Sequence, residues 1–138
     1  MKPRVALEST IYAFGLPEPE ALALGRSLNS IIEEKGAQAV PIAIVEGVPQ
    51  IGFDKNVLQA VCRGKGFVKV NSRDLGAIKA LKGNGATTVS GTCALAAQAG
   101  IRFFATGGIG GVHRGAEDTF DESLLIELEK FLNFDLYL

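Results

Sequence analysis

Short apolar runs alternate along this chain with longer segments in which apolar residues recur every three or four positions. The runs at 5–7, 39–45, 67–70 and 101–105 have the length of buried β-strands, and 48–53 is placed to return as a hairpin partner. The predicted helices run from Pro19 to a stop at Gly36, from a cap at Asp54 to Gly64, through Leu75, Ile78 and Leu81, over 87–98, and onward from Asp121.

This order of elements predicts an α/β fold with a mixed, mostly parallel sheet covered by helices. Because proline has no N–H to donate, Pro41 and Pro49 place the two hairpin strands at an edge or in irregular pairing. After the last predicted helix, the apolar pattern predicts no further strand that would return to the sheet. The apolar residues of 124–138 indicate a segment that docks against other protein. We therefore expect residues 1–138 to form part of one domain, incomplete relative to its full fold.

Composition narrows the class of protein. Apolar residues make up 47% of the 138 positions and charged residues 21%, as in a compact α/β domain. A net charge of −1 gives no indication of binding to nucleic acid or to an anionic membrane. No apolar segment is long enough for a transmembrane span, and no signal peptide is expected. Cys62 and Cys93 lack metal-ligand spacing, which favours buried thiols and a reducing compartment such as the cytoplasm.

A glycine-rich loop, Thr-Gly-Gly-Ile-Gly-Gly-Val-His-Arg-Gly, occupies 106–115 directly after a predicted strand. Glycines let the backbone bring its N–H groups close to an anion, and such a loop is a usual phosphate site in an α/β protein. A glycine-rich turn without a ligand is the alternative. The candidate phosphate-binding residues are Gly107, Gly108, Gly110, Gly111, His113 and Arg114.

Three charged side chains could carry chemistry. Glu8 ends the first predicted strand, and Lys69 lies inside or at the end of another. A glutamate near a lysine, with a phosphate loop close by, would suit acid–base work on a sugar phosphate. A carboxylate facing water and a lysine reaching solvent explain them equally well. Asp121 could hold a divalent cation, although by itself it is better explained as the cap of the last helix.

At these residues the chain resembles the pseudouridine-5′-phosphate glycosidase family, also called indigoidine synthase A-like. Several separated motifs carry the resemblance, in the family's order and spacing. They are Ala-Leu-Glu-Ser-Thr-Ile at 6–11, Gly-Leu-Pro at 15–17, Lys-Val at 69–70 with Arg-Asp at 73–74, Asn-Gly-Ala-Thr-Thr-Val at 84–89, and residues 105–116 with Thr-Phe-Asp at 119–121.

The resemblance implies reversible cleavage of the C–C glycosidic bond of pseudouridine 5′-phosphate to uracil and ribose 5-phosphate. It further implies a lysine imine on the ring-opened ribose, a divalent cation, usually manganese, and a homotrimer. By motif, Glu8 matches the proton donor and Asp121 the metal ligand. Lys69, Val89 and Ser123 match substrate-binding positions.

The chain departs from the family pattern at several positions. Phe14 stands where the family has histidine, and Leu124 and Leu125 stand where it has alanine and aspartate. The imine-forming lysine belongs to a downstream Gly-x-Lys-Ser motif that these residues do not contain, and Lys130 beside Glu127 and Glu129 is explained as a surface pair. Since family members are about twice this length by resemblance, residues 1–138 match the N-terminal portion of such a domain.

Three interpretations stay open at this point. The chain is the N-terminal portion of an enzyme, or it is a shortened paralogue that binds a phosphosugar or a partner subunit without catalysis. A small nucleotide-binding module ranks last, because the Gly-x-Gly-x-x-Gly fingerprint with its downstream acidic residue is absent from the sequence.

Overall fold

The structure, a computed structural model, describes residues 1–107 and the strand at 135–137. In this part of the chain the strands are β1 (Arg4–Leu7), β2 (Gln38–Val45), β3 (Val48–Ile51), β4 (Phe67–Val70), β5 (Asn84–Thr87), β6 (Phe103–Ala105) and β7 (Asp135–Tyr137). The helices are α1 (Thr10–Phe14), α2 (Glu18–Glu34), α3 (Lys55–Arg63), α4 (Leu75–Ala80) and α5 (Val89–Gln98), with a 3-10 turn at Ser72–Asp74. Among these helices, none has the length and apolar character needed to cross a bilayer.

The strands form one sheet in the order β4-β5-β2-β1-β6-β7, and β3 also pairs with β2. β1 lies parallel to β2 and β6, and β6 lies parallel to β7. β4 and β5 are parallel to each other, whereas β3 and β5 run antiparallel to β2. The predicted fold class, a mixed and mostly parallel sheet with helices, is confirmed.

Alternate residues of β2 enter two separate cores, because successive side chains of a strand point to opposite faces of the sheet. Ile42 and Ile44 belong to a core closed by α4 and α5, whereas Ala43 belongs to a core closed by α1, α2 and α3. Covered on both faces, β2 is apolar from Ala39 to Val45 rather than alternating, as strands of this kind are. The largest fully buried side chains of the two cores are Phe104 and Tyr12.

Pro41 lies inside the sheet, at the residue where β2 changes partner. β2 pairs with β1 through 38–41 and with β3 and β5 beyond that point. The carbonyl of Pro41 accepts a hydrogen bond from the N–H of Gly52 at 2.8 Å. Placement at an edge is therefore wrong for β2, and the alternative, irregular pairing, is confirmed.

Two short elements differ from the sequence prediction. Asn84–Thr87 forms β5 although asparagine and glycine are poor strand formers, because β4 and β2 supply partners on its two sides. The helix predicted over 87–98 accordingly begins later, at Val89. Thr10–Phe14 forms α1, which is too short to show a helical period in the sequence.

The prediction of no return strand is wrong, because Asp135–Tyr137 pairs in parallel with β6. The apolar pattern of this segment indicated docking, and the partner is the chain's own sheet. The helix predicted from Asp121 and the apolar residues of 124–134 lie outside the described residues.

Both cysteines are buried free thiols, as predicted. Burial raises the pKa of the Cys62 thiol, and the charge of Glu18 adds to this effect. Burial and the charge of Glu8 raise the pKa of Cys93 to about 12. Both thiols therefore stay protonated at neutral pH and act as small apolar side chains of the two cores.

Gly91, in the first turn of α5, lets that helix lie against the end of β4. A Cβ at this position would meet the carbonyl oxygen of Val70 at 2.4 Å, and backbone cannot move aside as a flexible side chain can. The close approach holds the start of α5 beside the strand that carries Lys69.

We expect Gly91→Ala to lower the free energy of unfolding by about 1–3 kcal/mol, the usual range for overpacking a filled interior. Gly76→Ala on α4 is the matched control, since a Cβ there meets no atom within 4 Å and alanine is the better helix former. Urea denaturation of the two variants measures both effects. Equal stability of Gly91→Ala and the unmodified chain would contradict the close approach.

Candidate functional site

The C-terminal ends of β1 and β5 meet near the middle of β2. β1 ends with Leu7 opposite Pro41, and β5 runs in the opposite direction towards the same point. The N–H of Ser9, just after β1, donates to the carbonyl of Thr87 at 3.2 Å. Because β4 lies parallel to β5, the residues that end β4 arrive at this place as well.

A buried network of hydroxyl groups holds this junction. The N–H of Thr87 donates to Ser9 Oγ at 2.7 Å, and Thr87 Oγ1 donates to the carbonyl of Ile42 at 2.7 Å. Thr87 Oγ1 also lies 2.8 Å from Thr92 Oγ1 on α5. Ser9, Thr87 and Thr92 are fully buried, so their hydroxyl groups find their hydrogen-bond partners within the protein rather than in water.

A cleft of about 460 Å³ opens over the junction. Its size falls within the roughly 300–1,000 Å³ of small-molecule sites. The lining residues come from the end of β1, from α1, from β4 and from the segment after β6. They are Glu8, Thr10, Ile11, Phe14, Gly15, Lys69 and Gly107.

Glu8 is held at the cleft by its neighbour in the sheet. Leu7 pairs with Ala105 in the parallel register of β1 and β6, so the residues that follow, Glu8 and Thr106, lie side by side. Thr106 Oγ1 donates to Glu8 Oε1 at 2.6 Å, a distance typical of a hydrogen bond to a carboxylate. This contact fixes one carboxyl oxygen of Glu8 at the cleft.

Lys69 reaches the cleft from the other half of the sheet. It lies opposite Ala86 of β5, which belongs to the core closed by α1, α2 and α3. Neighbours in register point to the same face, so Lys69 projects on the side of the sheet that carries α1. The side chain is exposed and lines the cleft, where its ammonium group can meet an anionic ligand.

Residues 1–131 match the family described as indigoidine synthase A like protein. The chain belongs to the indigoidine synthase A-like family. Among its curated relatives is a pseudouridine-5′-phosphate glycosidase of Nocardioides sp., 48% identical over 121 residues, which cover 88% of this chain and 39% of that protein. A pseudouridine-5′-phosphate glycosidase of Staphylococcus aureus is 46% identical over 91% of this chain and 41% of its own length.

Two solved structures of the family share the fold. An indigoidine synthase A-like protein from Thermotoga maritima has a TM-score of 0.77 and 32% identity, and the match covers 93% of this chain and 52% of that one. A prealnumycin C-glycosynthase in complex with ribulose 5-phosphate has a TM-score of 0.70 and 38% identity, over 86% of this chain and 38% of that one. The chain thus spans about two fifths of the length of its curated relatives and about half of the first solved structure.

The structure brings together three of the residues predicted for an indigoidine synthase A-like site: Glu8, Lys69 and Gly107. Val89 begins α5, and its side chain packs against the core on the α4 and α5 side rather than lining the cleft. Its role in substrate binding stays a prediction. The other predicted residues lie outside the described part of the chain: Gly108, Gly110, Gly111, His113, Arg114, Asp121 and Ser123.

Sequence reasoning did not assign a role at the site to Thr106, Ile11 or Phe14, which hold or line the cleft. Thr106 could have been found from the strand register, because it follows β6 as Glu8 follows β1. Ile11 and Phe14 lie three positions apart, a spacing that places both on one face of α1. That signal appears only after residues 10–14 are known to be helical.

Metal ligands do not gather among the described residues. Residues 1–107 and 135–137 hold no group of three or more histidine, cysteine, aspartate or glutamate side chains that could surround a metal ion. In this part of the cleft Glu8 is the one carboxylate that lines the wall. Asp121 lies beyond the described residues, so its role as a metal ligand stays a prediction.

We expect Thr87→Val to lower the free energy of unfolding by about 1–3 kcal/mol, because Ser9 and Thr92 lose a buried hydrogen-bond partner without a change of side-chain volume. A double-mutant cycle with Thr92→Val tests the network. Once Thr87 is valine, Thr92 has already lost this bond. The loss of stability in the double variant should therefore be smaller than the sum of the two single losses by about 0.5 kcal/mol or more. Strictly additive effects in urea denaturation would show that the two hydroxyls act independently.

Proposed function

We propose that this chain supplies the acid and phosphosugar-binding portion of a pseudouridine-5′-phosphate glycosidase. That reaction consumes one water and reversibly cleaves the C–C bond between the base and the sugar, so that uracil gains a proton at C5 and the sugar C1′ gains the oxygen in ribose 5-phosphate. The observation that carries the proposal is that Glu8 and Lys69, which come from opposite halves of the sheet, line one cleft. The names of the relatives and the ribulose 5-phosphate bound to the glycosynthase support the same substrate class.

Glu8 would donate the proton that the base requires. When the bond from the ribose C1′ to the uracil C5 breaks, C5 keeps the electron pair and must gain a proton. A carboxylic acid within hydrogen-bond reach can supply it. Thr106 Oγ1 donates to Oε1, and Oε2 would carry that proton. In the direction of synthesis the same oxygen takes the proton back.

Lys69 would bind the anionic part of the substrate. Its ammonium group is exposed on the cleft wall, where it can meet a phosphate in the manner of lysines at other phosphate sites. Gly107, the first glycine of the glycine-rich loop, lines the same cleft, so a phosphate there would also lie near Gly107. The loop beyond Gly107 stays a candidate from its sequence alone.

A divalent cation, manganese by resemblance, is part of the proposal. Asp121 would hold it, with Glu8 as the carboxylate nearby in the cleft, and a hard cation of this kind draws most of its ligands from water and substrate oxygens. When bound, such an ion orients and polarises an oxygen-rich sugar phosphate.

We also expect a homotrimer and a reducing compartment such as the cytoplasm, the latter because Cys62 and Cys93 are free thiols.

We expect the 138-residue chain to release no uracil from pseudouridine 5′-phosphate at a rate typical of enzymes. The sequence contains no Gly-x-Lys-Ser motif, and an imine cannot form through a nucleophile that is missing. The assay measures uracil release with manganese present. Rapid turnover that Lys69→Ala or Lys130→Ala abolishes would show that another lysine performs the covalent step, and the prediction would be wrong.

We expect Lys69→Ala to weaken binding of ribose 5-phosphate about tenfold or more, since a charge-assisted hydrogen bond contributes roughly 1.5–3 kcal/mol. Lys65→Ala is the matched control, because it removes the same charge from an exposed lysine that does not line the cleft. Titration calorimetry measures both affinities. Equal losses in the two variants would mean that Lys69 acts only through the overall charge of the protein. No binding to the unmodified chain would count against the proposed function.

A further inference from the structure

α1 presents apolar residues in two directions. Tyr12 and Ala13 point into the core and are buried. Ile11 and Phe14 line the cleft, and Ile11, which is partly buried, also packs against that core. Phe14 leaves 44% of its surface exposed, so the core does not account for the exposed part of its ring.

The backbone fixes where the Phe14 ring stands. Gly15 follows it at the end of α1, and a Cβ on Gly15 would lie 2.5 Å from the carbonyl oxygen of Ile11. Only glycine, which has no Cβ, allows the chain to pass so close to this carbonyl oxygen at the end of the helix. At the other end of α1, Ser9 is held by two hydrogen bonds to Thr87. A helix of five residues held at both ends keeps the ring at the cleft wall.

We propose that Ile11 and Phe14 bind the flat face of a nucleobase, the uracil ring of pseudouridine 5′-phosphate. This inference rests on the proposed function and deepens it. Aromatic side chains bind bases by stacking, and every base offers a flat face to such a ring. The wall lies in the cleft that holds Glu8, whose proton must reach a carbon of that base, and Lys69, whose charge suits the phosphate at the other end.

The surroundings of Phe14 favour a small ligand over a protein partner. Its neighbours in the cleft include Glu8, Thr10 and Lys69, so the apolar wall is bordered by groups that can bond to polar atoms. Such a mixture of an apolar wall with a few convergent polar groups is typical of small-molecule sites. Phe14 also stands where the family resemblance leads us to expect histidine, so the stacking surface would be a feature of this chain.

Substitution of Phe14 distinguishes binding of the base from binding of the sugar phosphate. We expect Phe14→Ala to weaken binding of pseudouridine 5′-phosphate about tenfold or more and to leave the affinity for ribose 5-phosphate unchanged. Leu16→Ala is the matched control, because Leu16 has the same 44% exposure and does not line the cleft. Thermal unfolding of each variant establishes that it is folded. Phe14→Leu provides a second test that keeps an apolar side chain and removes only the aromatic face.

The chain contains no tryptophan, so Phe14→Trp introduces a single fluorescent reporter at the wall. We expect pseudouridine 5′-phosphate to quench its emission, because a stacked base lies directly on the indole. Ribose 5-phosphate should bind to the same variant without that quenching. Leu16→Trp gives the matched signal for a ring outside the cleft and should respond to neither compound.

The outcomes distinguish this inference from the proposed function. If the unmodified chain binds both compounds but Phe14→Ala loses neither, the proposed function stands and the stacking surface is overturned. Equal quenching by the two compounds would overturn it as well. If the unmodified chain binds neither compound, both the proposed function and the inference fail. Selective loss of pseudouridine 5′-phosphate binding in Phe14→Ala, with Leu16→Ala unaffected, supports the inference.

Discussion

The exchange of hydrogen bonds between Ser9 and Thr87 joins the two halves of this sheet. Each residue follows or ends a strand, β1 in one case and β5 in the other, and the two strands run towards each other along β2. The N–H of Ser9 donates to the carbonyl of Thr87, and the N–H of Thr87 donates to the hydroxyl of Ser9. Both residues are fully buried, so neither can exchange these bonds for water. The candidate site depends on this junction.

In a sheet whose strands all run the same way, side chains that follow the strands gather along one edge. Here β1 and β6 approach the junction from one side, and β4 and β5 approach it from the other. Their ends face each other over the middle of the sheet. A carboxylate after β1 and an amine on β4 can therefore share a cleft although two strands, β2 and β5, stand between them in the sheet order. The opposed directions of the strands thus bring a carboxylate and an ammonium group to one cleft.

Much of the fold could be predicted from the sequence, because its long strands are apolar runs and Asp54 caps α3 with two hydrogen bonds at 2.8 Å. The strand β5 and the helix α1 could not be predicted in this way. β5 begins with Asn84 and Gly85 and becomes a strand through its neighbours, and α1 is too short to show a period. The site depends on both of these elements. The convergence of Glu8 and Lys69 followed only from family resemblance, because the direction of β4 relative to β1 is set by how β5 pairs.

The two walls of the cleft have different physical origins. Glu8 owes its position to the register of β1 and β6, where a slip of one residue would turn its side chain to the other face and part it from Thr106. Phe14 owes its position to α1, whose start is tied to the junction through Ser9 and whose end is fixed by the close approach at Gly15. Since Ser9 directly follows Glu8, the same hydrogen bonds to Thr87 set both the carboxylate and the helix. The spacing of the carboxylate and the aromatic wall is thus determined by a junction whose residues, Ser9 and Thr87, do not themselves line the cleft.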